Sequence, residues 1–99
     1  MDQREVLRIA KEYASSVRIV LPESGVYLYG SYARGNAGRD SDIDIAVIVD
    51  ELSEDYLGTL ALLWRLTRGD YIDIEPVLLK SGDDKSGFLS TVLKTGIPL

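Results

Sequence analysis

From its second residue the chain repeats on a helical period: Val6, Ile9, Ala10, Tyr13 and Val17 fall on one face of residues 2–20. That spacing predicts an amphipathic helix, and Asp2 followed three residues later by Glu5 has the form of a capping box at its start. The segment "PESG" (22–25) reads as a turn, and "VYLY" (26–29) as a short strand that stops at Gly30. Residues 30–41 combine Gly, Asn and Arg in a loop with room for one helical turn at 31–34. "DIDIAVIVD" (42–50) starts with period two and turns apolar on both faces from Ile45, which predicts a central strand covered on two sides. Leu57, Leu60, Ala61 and Trp64 then recur at helical spacing behind a cap at Ser53, and this stripe is expected to face the core. Arg65 and Arg68 sit in the last turn of that helix, and Gly69 lies past its end. "YIDIEPVLL" (71–79) is a third strand, and its Pro76, lacking an amide donor, places it at or near a sheet edge or at a bulge. A last helix, 84–95, carries Phe88, Leu89, Val92 and Leu93 and ends at Gly96.

The order α, β, β, α, β, α predicts a small mixed sheet of three or more strands flanked by helices, in the α+β or α/β class, formed by a single domain over residues 1–99. A full helix joins the second and third strands, so they are expected to run parallel through a right-handed crossover. The loop before Asp42 only returns the chain to the end it left, which makes the first strand antiparallel to both. Gly30, Ser31, Asp42, Asp44 and Asp73 then meet at one end of the sheet.

Composition narrows the chemistry. With no cysteine and no histidine, thiolate nucleophiles, imidazole bases and the usual zinc sites are excluded, and any metal must be held by oxygen, as Mg2+, Mn2+ or Ca2+ are. A net charge of −5 argues against generic nucleic-acid binding, which depends on Lys and Arg neutralising phosphates. No apolar run approaches the roughly 18 residues of a membrane helix, and the charged, amphipathic N-terminus does not read as a leader, so a cytoplasmic location and no membrane partner are expected.

Asp42 and Asp44 are two apart on a strand and so share a face; Asp73 and Glu75 do the same. Carboxylates converging in this way repel one another unless a divalent cation lies between them. Gly30 permits close approach of backbone, Ser31 and the amides of a helix start can donate to phosphate oxygens, and Arg34 and Arg39 add positive charge. Together these groups describe a nucleotidyl or phosphoryl transfer site. An EF-hand counted from Asp40 fails, because Ile45 stands where glycine is needed, and no Gly-Lys-Ser/Thr follows to make a P-loop.

The stretch "GSYARGNAGRDSDIDIAV", a Gly-Ser pair followed after about ten residues by Asp-x-Asp opening an apolar strand, resembles the signature of the DNA polymerase β-like nucleotidyltransferase superfamily. It is most similar to the minimal nucleotidyltransferase branch, stand-alone catalytic domains of about this length, and the resemblance covers nearly the whole chain. It implies a polymerase β palm-like fold, phosphate binding by Gly30 and Ser31, metal binding by Asp42 and Asp44, and a third carboxylate at Asp73 that ligates metal and acts as general base. Glu75 is the alternative third acid by position. Arg34 and Arg39 match no invariant position, so their triphosphate role is inferred from charge and place. The implied cofactor is Mg2+, with Mn2+ as a substitute, and the implied substrate is ATP. Members of this branch are commonly paired with a HEPN-domain ribonuclease toxin and silence it as antitoxins, by AMPylation of a tyrosine hydroxyl. Larger relatives carry a helical acceptor-binding domain, which these 99 residues do not accommodate. Acceptor binding is therefore expected to fall to a partner surface, in a homo- or hetero-oligomer. Two other functions stay open: a catalytically weak module that neutralises a toxin by occlusion, and nucleotidyl transfer to a small molecule.

Overall fold

The computed structural model describes residues 2–38, 40–52, 55–71 and 73–99. In chain order it contains α1 (Gln3–Val20), β1 (Gly25–Tyr29), α2 (Gly30–Arg34), β2 (Ile43–Val49), α3 (Tyr56–Arg65), a 3-10 turn (Gly69–Tyr71), β3 (Ile74–Lys80), α4 (Phe88–Thr95) and β4 (Ile97–Pro98). Asp2 caps α1, its Oδ1 accepting the Glu5 amide at 2.8 Å. The four strands stand in the order β3-β2-β1-β4. As the connections require, β2 and β3 are parallel and β1 is antiparallel to β2. Pro76 is in β3, an edge strand, where its missing amide donor leaves no ladder bond unmade.

Alternation along the strands divides the sheet into two faces. One carries Val26, Leu28, Ile43, Ile45, Val47, Ile74 and Leu78, which join the buried face of α1 and Leu63 of α3 in the main core. Full burial of each such side chain stabilises by about 1.5–3 kcal/mol, so this face holds most of the fold. Fully buried Tyr13 donates its hydroxyl to the Leu63 carbonyl at 2.7 Å, tying α1 to α3, and burial pushes its pKa up. The opposite face carries Tyr29, Asp44 and Glu75. There α4 lies over β1, with the Phe88 and Tyr29 rings edge to face at 5.3 Å. Ala46 is buried, but Ile48, Val77 and Leu79 are only half-buried, so β2 is covered on both sides along its middle alone.

Three expectations change. The stripe Leu57, Ala61 and Trp64 does not face the core: Leu57 is 75 % exposed and Trp64 44 %, while Leu63 is buried and Leu60 and Leu66 pack beside it. The run "LALLW" is apolar at every position from 60 to 64, so period alone marks two overlapping faces, and the bond from Tyr13 accompanies burial of the other one. Ser53 lies outside the described residues; the cap of α3 is Asp55, whose Oδ1 accepts the Gly58 amide at 3.0 Å. Finally, α4 begins at Phe88 rather than at residue 84, since Asp84 acts from outside the helix, accepting the Leu89 amide at 2.9 Å and the Ser90 amide at 3.2 Å. β4, formed by Ile97 and Pro98 on β1, has no counterpart in the hydrophobic pattern.

Candidate active site

Asp44 is the middle of a row across three strands. It pairs in register with Tyr29 of β1 and with Glu75 of β3, and residues paired in this way project from the same face. Asp42 lies two residues earlier on that face. Continuing the β2–β3 register by one position sets Asp73 across from it, in the turn before β3 rather than on the strand. The backbone there is fixed, because the Ile43 amide donates to the Asp73 carbonyl at 2.8 Å. Asp42, Asp73 and Glu75 are exposed, whereas Asp44 is half-buried.

That position has an electrostatic cost. Burial holds the Asp44 carboxyl above the usual carboxylate range, the negative charges of Glu75 and then Asp42 raise it further, and the Arg34 guanidinium works in the opposite direction. Among the described residues no three carboxylates are grouped closely enough to hold a metal ion as they stand. The donor set still fits a hard divalent cation: it is all oxygen, and its most buried member is destabilised by like charge that a cation relieves.

The Gly-Ser pair meets this row directly. Gly30 has a left-handed backbone, φ +75, and a Cβ there would strike the Asp44 Oδ2, with the Asp44 Cγ at 3.1 Å. Glycine is therefore required twice over, by conformation and by the carboxylate beside it. Ser31 follows in the first turn of α2, half-buried, and no side chain caps that helix start. Tyr32, buried in the main core, pins α2 in place. Gly35, φ +78, ends the helix, its amide returning to the Ser31 carbonyl. Arg34 is exposed and near enough to act on Asp44. Arg39 lies outside the described residues.

Glu75 and Tyr29 complete the row. Glu75, ranked behind Asp73, faces Asp44 directly and acts on it more strongly than Asp42 does. Tyr29 is a strand residue in the hydrophobic pattern, and its hydroxyl is pushed up to about 12, by burial first and then by Asp44 and Glu75. Counting in twos along a parallel β2–β3 pair finds Glu75, whereas Tyr29 needs the β1–β2 register as well.

The model of the nucleotidyltransferase domain family matches residues 4–84, which include every residue of this row and the Gly-Ser pair. The chain belongs to that family. Over 50 residues it is 36 % identical to a protein of Methanocaldococcus jannaschii provisionally named a protein adenylyltransferase. That match spans 48 % of this chain and half the length of the relative. A crystal structure from Sulfolobus solfataricus, provisionally named a nucleotidyltransferase, has a TM-score of 0.70 at 26 % identity, over 97 % of this chain and 80 % of that one. Two toxin–antitoxin structures share the fold. A mutant MntA–HpeT complex gives a TM-score of 0.56 at 19 % identity, over 99 % of this chain and 72 % of that one. A complex with AMP-PNP gives 0.54 at 22 %, with the same coverage. The mixed sheet with flanking helices is thus a nucleotidyltransferase fold, as the motif implied.

Proposed function

We propose that this domain transfers AMP from ATP to a hydroxyl of a partner protein, a tyrosine of a HEPN-domain ribonuclease toxin, and so acts as its antitoxin in the cytoplasm. The observation that carries the reading is the close fit of Gly30 beneath Asp44, which joins a phosphate-binding helix start to a row of carboxylates. The adenylyltransferase name of the archaeal relative and the toxin–antitoxin and AMP-PNP names of the structural neighbours support the substrate and the partner.

Asp42 and Asp44 would hold Mg2+, or Mn2+, with Asp73 or Glu75 as the third acid; the bound ion supplies charge neutralisation of the triphosphate. Gly30, Ser31 and the amides at the start of α2 bind phosphate oxygens, and Arg34 and Arg39 add positive charge to the same anion. The acceptor oxygen forms a bond to the α-phosphorus, the bond to the bridging oxygen breaks, and pyrophosphate leaves. The acceptor proton passes to the carboxylate of Asp73 or Glu75. No helix among the described residues is long and apolar enough to cross a membrane.

The test is to incubate the domain with labelled ATP, Mg2+ and its HEPN partner, and to locate AMP on the partner by mass spectrometry. Asp42→Asn with Asp44→Asn should abolish labelling, and labelling that survives the double change refutes the site. A double variant that still silences the toxin without ATP shows occlusion instead, and labelling of a small molecule alone refutes the protein acceptor.

A further inference from the structure

The outer face of α3 has no role in the site described above. Leu57 is 75 % exposed, Trp64 44 %, and Ala61 is exposed between them. At roughly 100° per residue these three positions form one stripe along the helix, on the side away from fully buried Leu63. A tryptophan and a leucine left together on a helix face mark an interaction surface more often than a solvated one.

The charges around this stripe identify what covers it. Arg65 and Arg68 lie exposed at its C-terminal end, and at its N-terminal end lie exposed Asp55 and Glu51, the latter beside Tyr56 and Thr59. Among the described residues the ion pairs are those that Arg8 makes with Glu5 and Glu12, so none of these four charges is in an ion pair with another described residue, although Asp55 also accepts the Gly58 amide as the cap of α3. We infer that two copies of this chain pair through α3, antiparallel across a two-fold axis.

Antiparallel apposition sets Leu57 of one copy on Trp64 of the other, twice, and the small Ala61 near the centre lets the helix axes approach. It also brings the basic end of each helix to the acidic end of its neighbour. Parallel apposition would set like charge on like, so electrostatics selects the orientation. In a chain of net charge −5, this local complementarity offsets the general repulsion between copies.

Size sets the strength. A ten-residue helix is about 15 Å long. Its stripe falls short of the roughly 800 Å² per partner of a standard interface, even with partly exposed Leu52 and Tyr56 extending it. The dimer is therefore weak and concentration-dependent. α3 packs on the sheet face opposite Asp44, so both sites remain open in the pair.

Trp64 is the sole tryptophan and reports on the contact directly. Sedimentation velocity from micromolar to millimolar protein should show monomer passing to dimer, with the Trp64 emission shifting to the blue over the same range. Leu57→Glu should raise the dimer dissociation constant by at least about tenfold, without lowering the melting temperature, because that side chain is exposed. Arg65→Glu with Arg68→Glu, and separately Glu51→Lys with Asp55→Asn, which keeps a capping oxygen, should each stay monomeric, while a mixture of the two variants forms a heterodimer. The inference is overturned by a chain that stays monomeric at millimolar concentration, by a dimer indifferent to Leu57→Glu, or by charge variants that do not combine. It is equally overturned if the Trp64 shift requires addition of a different protein.

Discussion

Replacing Gly30 by alanine separates backbone strain from damage to the site, because the structure supplies a matched control. Gly30 and Gly35 have nearly the same left-handed backbone, φ +75 and +78, but nothing lies within 4 Å of a Cβ placed at Gly35. At either position alanine costs about 1–2 kcal/mol for the left-handed conformation. Against that stands about 0.4–1 kcal/mol from the less disordered unfolded chain. Gly35→Ala therefore lowers stability by about 0–1.6 kcal/mol. Gly30→Ala has the same balance and must also turn the Asp44 carboxylate aside, about 0.5–1.5 kcal/mol for an off-rotamer side chain. At roughly 4–8 °C per kcal/mol for a domain of this size, Gly30→Ala should melt several degrees below Gly35→Ala in a calorimetric scan. The activity difference should be larger, since misplacing a catalytic group by an ångström costs about a hundredfold. Nucleotidyl transfer should fall by about that factor in Gly30→Ala and stay close to wild type in Gly35→Ala. Equal melting and equal activity in the two variants would refute the claim that Asp44 is what excludes a side chain at Gly30.

Asp44→Asn should stabilise the metal-free protein at neutral pH. The folded-state pKa of Asp44 is raised, so its ionised form is penalised above that pKa and the penalty is lost as the pH falls through it. The gain, read from melting curves of variant and wild type, should accordingly shrink on acidification; a gain that is constant with pH would contradict the assignment. Mg2+ at a hundred times its dissociation constant should stabilise the wild type by about 2.7 kcal/mol and leave Asp42→Asn/Asp44→Asn unmoved, as thermal shift would show. Tyr13→Phe leaves the Leu63 carbonyl without its buried donor and should cost about 1–3 kcal/mol in denaturant unfolding, with no change in nucleotide binding.

The sheet was legible because the signals for it in the sequence were redundant. The interrupted alternation at Ile45, the helix between two apolar runs and the short return loop each constrained strand direction, and β1, β2 and β3 run as those signals required. The shared face of Asp42 and Asp44 was legible for the same reason, since period two fixes it without any knowledge of contacts. What was hidden depended on choices between equal local patterns. In α3 the unbroken apolar run left the buried face to tertiary packing, which includes the bond from Tyr13, fifty residues away, and propensity carries no such information. The ranking of Glu75 against Asp73 turned on where β3 begins, and strand ends are set by tertiary hydrogen bonds such as that from Ile43 to Asp73. Two-residue β4 lacks enough apolar pattern to be seen at all.

The pairing of Tyr29 with Asp44 has a consequence for how such domains vary and how they can be engineered. Because adjacent strands, and not the chain between them, hold Gly30 under Asp44, the number of residues separating the Gly-Ser pair from the Asp-x-Asp pair is free to drift. Doubling a flexible loop costs only about 0.6 kcal/mol in closure entropy. Positions 35–38 are thus a port: a regulatory insert, a sensor peptide or new chain termini can be placed there with the two halves of the motif still locked together.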